Sequence, residues 1–539
     1  MARHHSQPVV DLASLLETAR AAHGEGAWAR AEKQYKAILA RDPRHVEALH
    51  LFGLLHYQTG RSAQALRYLA EALKGGIPSA DLWSDHGLVL YALGRADEAL
   101  ASFDAALALA PDDPDLLSKR GVACLHLGRL QEALGAFDQA LAREPAHVDA
   151  LGNRGNAMLK LNEPEQAIAS YDAAIRIKGA TARLLTNRAH ALKRLDRLDE
   201  ALADLQQALA IEPNFAEAAF ERGMVQLALG DFENGWASYE RRWETGAFAE
   251  HRRNFSSPQW TGRQSLSGRT ILLHAEQGFG DTIQFVRYAP LVQRLGATVV
   301  LEVQPELVRL MARVPGVDRV VARGSKLAAF DFHCPLMSLP LAFKTTAATV
   351  PASIPYIDLD DASMAEWAKR LPAGNPRVGF CWAGKAGHRN DINRSIPLAR
   401  FAALLDRPDI DFVNLRVGLS DDERAILSTR ANVLDYSAQL TDFDDTAGLI
   451  KQLDLVVSVD TSVVHLAGAL GVPAVVMLPF AADFRWLRTG GTSAWYPGMS
   501  LLRQPRLKDW DSVIDAARDL LAELTTYRVF TAVPAIVLK

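Results

Sequence analysis

Two rhythms of apolar and polar positions divide the chain. Through the first 245 residues the period is 34. Gly53, Gly87, Gly121, Gly155 and Gly223 fall on one series, with Ala189 in the remaining place. A second series runs Gly26, Gly60, Gly94, Gly128, Asn162, Asp196, Gly230, and a third Ala31, Ala65, Ala99, Ala133, Ala167, Ala201, Gly235. The fourth is bulky: Tyr35, Leu69, Phe103, Phe137, Tyr171, Leu205, Tyr239. Pro43, Pro111, Pro145 and Pro213 form a fifth, broken by Ile77 and Gly179. Small residues let two helices of a hairpin approach. Gly, Asn and Asp tolerate the left-handed turn that ends a helix. The bulky series is expected to fill the space between hairpins, and proline to separate one unit from the next.

From Thr270 the pattern becomes short β-branched runs alternating with amphipathic stretches. "TILLHAE", "ATVVLEV", "VDRVVA" and "DFHCPLM" read as strands, with a helix over "DTIQFVRYAPLVQRL". After a Pro-rich passage near Pro351 to Pro376 the pattern restarts. "RVGFCWAG", "IDFVNLRVG", "LDLVVSVD" and "PAVVML" read as strands, and "LARFAALL", "TAGLIKQL" and a stretch from Thr461 as helices. Such alternation predicts parallel sheets covered on both faces. Two sets predict two doubly wound, Rossmann-like domains facing a cleft, with ligands beyond the carboxyl ends of the strands. Between the halves, Trp236, Tyr239 and Trp243 lie at helical spacing and are expected to seal the last repeat against the next domain. "SSPQWTGRQSLSGRT" reads as a linker.

The 34-residue pattern resembles the tetratricopeptide repeat family, with about seven units over 9–245. That family stacks its hairpins into an all-α superhelix with a concave binding face. Two residues before the first glycine series the positions read Leu51, Asp85, Lys119, Asn153, Asn187, Glu221. Asn153 and Asn187 resemble the asparagine ladder of O-GlcNAc transferase, whose amides hold a peptide backbone without reading its side chains. The plainer reading is two ordinary exposed polar residues.

Composition narrows the partners. Of 539 residues, 49% are hydrophobic and 23% charged, and the formal net charge is −4. No general affinity for nucleic acid or anionic membrane is implied. Cys124, Cys334 and Cys381 lie far apart, which indicates neither a disulfide framework nor a CxxC metal site. The N-terminal "MARHHSQPVVDLAS" has no apolar core of a signal peptide, and no run is long enough to span a membrane. A cytoplasmic protein is expected.

Two turns carry candidate chemistry. In "VVSVDTSVVHLAGALGVP" a buried strand ends at Asp460-Thr461-Ser462 and a helix begins. Free N–H groups, the helix dipole and two hydroxyls make that point a natural anion site. In "HAEQGFGDTIQF" a strand runs into Gly278 and Gly280, and a helix starts near Asp281. The sequence lacks both GxGxxG and GxxxxGK[ST], so neither a dinucleotide fold nor a P-loop is supported. "DLDD", Asp358 to Asp361, reads as a solvated turn rather than a metal site.

"GFGDT", "NRSIPL" and "DTSVVHLAGALGVP", in that order, resemble the heptosyltransferases of glycosyltransferase family nine. The whole plan resembles bacterial tetratricopeptide-repeat proteins with such a domain, flagellin glycosyltransferases among them, and is similar to O-GlcNAc transferase. The resemblance implies a GT-B fold over 269–362 and 374–525, joined to the repeats by 246–268. It implies an inverting, metal-independent transferase with no cofactor beyond its nucleotide-sugar donor. The acceptor it implies is Ser or Thr of a protein held by the repeats, flagellin by preference. It places the general base at Asp281. It places the donor at Gly278, Gly280, Thr282, Lys385, Arg394, Asp460, Thr461, Ser462 and His465. Plainer readings stand beside these: Asp281 as a helix cap, His465 as a packed core histidine, Arg394 and Lys385 as solvated loop charges. A scaffold with a degenerate, non-catalytic transferase domain is the alternative function. "NRSIPL" stands where the heptosyltransferases usually carry a lysine, which leaves the sugar open.

Overall fold

The computed structural model describes residues 11–76, 78–385, 387 and 390–527. The start of the array and Ile77 lie outside these residues. The chain forms two compact units, 1–191 and 192–539.

The first unit is a tandem of helical hairpins. They are Leu12–Gly24 with Trp28–Arg41, Val46–Gln58 with Ser62–Lys74, Ala80–Ala92 with Ala96–Leu109, Pro114–His126 with Leu130–Arg143, and Val148–Lys160 with Pro164–Lys178. A further helix, Ala182–Arg194, runs across the unit boundary at residue 191. The turn series is left-handed as expected: φ is +73° at Gly26, +76° at Gly60 and Gly94, +73° at Gly128 and +62° at Asn162. The bulky series does more than fill the space between hairpins. Tyr35 meets Phe52 of the next hairpin at 5.9 Å, while Leu69, Phe103, Phe137 and Tyr171 each pack onto the glycine of their own hairpin. A Cβ on Gly121 would lie 2.5 Å from Phe137 Cε1, and one on Gly155 would lie 2.5 Å from Tyr171 Cε1. The glycines exist because a ring occupies the place of their side chain. Gly121→Ala is therefore expected to destabilise the first unit by about 1–3 kcal/mol through overpacking. The check is urea unfolding followed by far-ultraviolet dichroism, in which an unchanged midpoint would refute the close fit.

The second unit opens with helices Leu198–Ile211, Ala216–Ala228 and Phe232–Tyr239. Two parallel sheets come after them. The first contains β1 (Thr270–His274), β2 (Thr298–Val303), β3 (Arg319–Ala322) and β4 (Phe332–Pro335), in the order β3-β2-β1-β4. The second contains β5 (Arg377–Cys381), β6 (Asp411–Asn414), β7 (Val433–Asp435), β8 (Leu455–Val459), β9 (Ala474–Leu478) and β10 (Met499–Arg503), in the order β10-β9-β8-β5-β6-β7. Strands β8 and β9 are buried throughout, which explains their unbroken apolar runs. The arrangement is an α/β pair of the GT-B kind. The helix expected over "DTIQFVRYAPLVQRL" is divided into Phe279–Phe285, a 3₁₀ turn Val286–Tyr288 and Ala289–Gln293.

Two connecting stretches are more ordered than their composition suggests. The segment 246–268, expected as a linker, runs along the edge of the first sheet. Trp260 N–H donates to His333 O at 2.8 Å and His333 N–H to Pro258 O at 3.1 Å. Trp260 and Leu266 are buried, and Phe248 and Phe255 are half-buried. "DLDD" is solvent-exposed at Asp358, Asp360 and Asp361 as expected, and Asp360 has structural partners besides. It caps helix Asp361–Arg370 by accepting from Ser363 N–H at 2.8 Å, and it pairs with Arg313 at 2.7 Å. Those hydrogen bonds, the backbone one first, hold its carboxyl down at about 2. The aromatic seal forms through two of its three expected members, while Trp243 is half-buried against the Arg242 guanidinium. Trp236 and Tyr239 are buried among Phe285, Phe484 and Trp495.

Candidate functional site

Two helices start at the carboxyl ends of central strands, one in each sheet. Phe279–Phe285 follows β1 and Ser462–Leu470 follows β8. They pack against each other across the two halves. A Cβ on Gly280 would lie 2.8 Å from His465 Cδ2 and 3.6 Å from Ser462 Cα. Only glycine allows that approach, so the two turns singled out in the sequence meet at one place.

Asp281 has two partners there. Its Oδ2 accepts the Gly278 N–H at 2.8 Å, so the plainer reading as a helix cap holds. Its Oδ1 accepts from Arg485 Nη2. Arg485 sits in the 3₁₀ turn Phe484–Trp486 after β9, and its side chain is 10% exposed. It also donates through Nη1 to Asp483 Oδ1 at 2.7 Å and through Nε to Gln284 Oε1 at 2.6 Å. Asp460 lies beside this group, its Oδ1 3.8 Å from His465 Nε2. Arg394 donates to the Asp460 carbonyl at 3.1 Å, and the guanidinium fills the space over Gly384 where a side chain would otherwise stand. Arg394 is thus an inward-facing cation rather than a solvated one, with its side chain 15% exposed.

The other expected donor residues divide. Ser462 is half-buried at the start of its helix, next to Gly280. Thr461 turns inward. Its hydroxyl lies 3.3 Å from Ser458 Oγ and 4.0 Å from Cys381 Sγ. Thr282 also turns inward, its one hydroxyl proton within reach of Gly278 O at 3.3 Å and Gln304 Oε1 at 3.0 Å. Lys385 is exposed, beside Gly384. His388 and Arg389 of the same loop lie outside the described residues.

Burial sets the charges. It pushes the Asp460 carboxyl up to about 6, helped by the neighbouring Asp483 and opposed by Arg485 and Arg394. Burial first, and then the guanidiniums of Arg485, Arg287 and Arg394, hold His465 well below the usual imidazole range. His465 is therefore neutral. Its Nδ1 lies 3.0 Å from the Tyr496 hydroxyl, and its ring stacks on Trp486 at 5.6 Å. Arg485 stays charged because Asp483 and Asp281 outweigh its desolvation. The group as a whole holds three carboxylates, two guanidiniums and one neutral imidazole.

Behind the Gly278 turn lies a second polar group that the sequence pattern does not reveal. Arg242 of the last repeat is fully buried and donates to Glu240 at 2.6 Å, Glu276 at 3.0 Å and Ser338 Oγ at 2.9 Å. Gln277 Nε2 donates to the Tyr239 hydroxyl at 2.7 Å. Residues 276 and 277, immediately before the turn, are thus held by the repeat. "YERRWE" gives no hint of this, because charged residues in a helical run read as a solvated face. Arg485 escapes notice for a similar reason, since "DFRWLRTG" matches no motif.

In the first unit Asn153 and Asn187 are joined through Asn156. Asn156 Oδ1 accepts from Asn187 Nδ2 at 3.0 Å and from the Tyr171 hydroxyl at 2.8 Å, and Asn156 Nδ2 lies 3.4 Å from Asn153 Oδ1. Other positions of that row also bond to the neighbouring repeat: Asp85 to His50 at 2.7 Å and Lys119 to Ser84 at 2.9 Å.

No described helix is long and apolar enough to cross a membrane. Among the described residues no group of three or more His, Cys, Asp or Glu is arranged to hold a metal ion.

Comparison with known proteins agrees with this division. Tetratricopeptide repeat models match residues 16–81, 84–142, 127–181 and 182–215. The model of glycosyltransferase family 9 (heptosyltransferase) matches residues 336–478, a span that includes Arg394 and Asp460 to His465 and leaves Asp281 outside. Protein FlbA of Caulobacter vibrioides is 28% identical over 338 residues, 57% of this chain. The alignment covers 56% of FlbA, so the chain spans about half the length of this relative. Among solved structures, YrrB, a TPR protein with an unusual peptide-binding site, is 25% identical with a TM-score of 0.30, covering 32% of this chain and 90% of that one. A tetratricopeptide repeat protein of Parabacteroides merdae is 19% identical with a TM-score of 0.39, covering 44% of this chain and 93% of that one. The chain thus carries tetratricopeptide repeats in its N-terminal part and, after them, a segment of the glycosyltransferase family 9 (heptosyltransferase) kind within a GT-B-like pair of sheets.

Proposed function

We propose that the second unit transfers a sugar from a nucleotide-sugar donor to Ser or Thr of a protein held by the repeats, in the cytoplasm and without a metal. The observation that carries this reading is the meeting of the two strand-end turns, with Asp281 on one, the Ser462 helix start on the other, and Arg394 and Arg485 beside them. The donor diphosphate lies at the start of helix Ser462–Leu470, where backbone N–H groups and the dipole favour an anion. The acceptor oxygen attacks the anomeric carbon from the face opposite the diphosphate, which inverts the sugar. The bond to the diphosphate breaks as the new glycosidic bond forms. The hydroxyl proton goes to the Asp281 carboxylate, and the nucleoside diphosphate leaves against the guanidiniums. The protein chain is held by the amides of Asn153 and Asn187, and flagellin is the acceptor that the family resemblance favours.

Calorimetry of the full chain against UDP, GDP, ADP and CDP, with the corresponding nucleotide sugars, tests the donor half. At least one is expected to bind, and Ser462→Ala to weaken it by about 1–3 kcal/mol through loss of a hydroxyl donating to a charged group. Changing both Asn153 and Asn187 to Ala should reduce capture of flagellin and leave nucleotide affinity unchanged. If no nucleotide binds, the scaffold reading replaces this one.

A further inference from the structure

Arg485 has no place in the sequence pattern, yet it occupies the centre of the site. Three of its five N–H groups are engaged among the described residues: Nη1 with Asp483, Nε with Gln284 and Nη2 with Asp281. One N–H on each terminal nitrogen is left over. Asp483 lies two residues away in the same loop, so that bond stays with Arg485 wherever its turn goes. Asp281 and Gln284 lie on the opposite half, three residues apart on helix Phe279–Phe285. The bond to Asp281 is thus the one through which the second half holds the carboxylate of the first.

That bond conflicts with the role given to Asp281. Its Oδ2 is taken by the Gly278 N–H and its Oδ1 by Arg485, so the oxygen that would meet an acceptor hydroxyl already faces a guanidinium. A guanidinium held by two carboxylates offers little net charge to a third anion. Both conflicts are removed by one exchange. A diphosphate presents two adjacent oxyanions, which fit a planar guanidinium fork better than a single carboxylate oxygen does.

Resting on the transferase reading above, we propose that Arg485 is a diphosphate-binding residue that gives up Asp281 when the donor arrives. Donor binding then frees the base, and the order of events is fixed: donor first, acceptor second. Without donor, Asp281 Oδ1 stays on Arg485. After the sugar has gone, the departing nucleoside diphosphate carries the guanidinium's free contacts away and Arg485 returns to Asp281. Arg394, bonded to the Asp460 carbonyl, has no such alternative partner across the halves among the described residues and serves as the fixed cation.

The test is calorimetry of the full chain with UDP, GDP, ADP and CDP, in wild type, Arg485→Gln and Asp281→Asn. Arg485→Gln is expected to weaken the nucleoside diphosphate that wild type binds by ten- to a hundredfold. Asp281→Asn removes the competing charge and is expected to tighten it severalfold, which a merely structural arginine would not produce. This second variant keeps its Gly278 contact and answers the question even if Arg485→Gln does not fold. Equal or weaker binding in Asp281→Asn overturns the exchange and leaves the transferase reading standing. No binding of any diphosphate by wild type removes both.

Discussion

Asp281→Asn is expected to lower sugar transfer by about 10²–10⁴-fold, the worth of a positioned general base. The amide keeps the shape of the carboxylate and its oxygen can still accept the Gly278 N–H, so the helix start survives. What it loses is proton affinity. Transfer should be measured at saturating donor, because the same substitution alters donor affinity through Arg485. The melting temperature should be measured alongside. Arg485 keeps Asp483 and Gln284 in this variant, so its charge is not left unpaired. Near-normal transfer would mean that Asp281 is a helix cap and an ion-pair partner and nothing more. Lost transfer together with a collapse in melting temperature would point the same way.

Arg242→Met should destabilise the second unit by about 3–5 kcal/mol, since breaking a buried ion pair strands the remaining charge. Methionine keeps the length of the arginine stem, so packing between the Tyr239 and Trp243 rings suffers little. The loss falls on Glu240, Glu276 and Ser338, whose oxygens all face the guanidinium. Urea unfolding followed by tryptophan fluorescence reads this unit directly, because Trp236, Trp260, Trp486 and Trp495 are buried in it. The effect has a pH sign. Burial already raises the Glu276 carboxyl above its usual range, with Arg242 pulling it back. Without Arg242 it rises further, so near neutrality the folded state binds a proton that the unfolded state does not. The penalty is then full at higher pH and shrinks as pH falls. A loss below about 1 kcal/mol, or one that grows on acidification, would contradict the buried pair.

The repeats were legible because hairpin geometry demands small and left-handed residues at fixed intervals, and such demands leave visible marks. Even Asn162 could be placed, since its role depends on backbone conformation alone. The strands β1, β5, β8 and β9 were legible for the same kind of reason, since burial on both faces requires unbroken apolar runs, and β2, β3, β4 and β6 through short apolar runs in the same alternation. Strand β7, three residues long, and β10, which carries Ser500 and Arg503, gave no such run. The meeting of Gly280 with His465 was implied by the family resemblance but not by either stretch alone. Arg242, Arg485 and Asp360 were not legible as partners of anything. A long-range ion pair imposes no periodicity, and each of these residues sits in a stretch whose polarity reads as surface.

The last helical repeat belongs to the core of the second unit, through Trp236, Tyr239 and Arg242. Its composition is therefore tied to the sheets and not to whatever the array recognises. Within the hairpins from Val46 to Lys178, the packing is built from glycine, bulky side chain and turn. For recombination, the natural seam falls at the turn of residues 179–181, ahead of helix Ala182–Arg194, rather than at the polar stretch after residue 245. An array of foreign specificity grafted ahead of that seam leaves the buried ion pair and the aromatic cluster whole. A graft made at residue 246 removes Arg242 and leaves Glu276 without its counter-charge inside the protein.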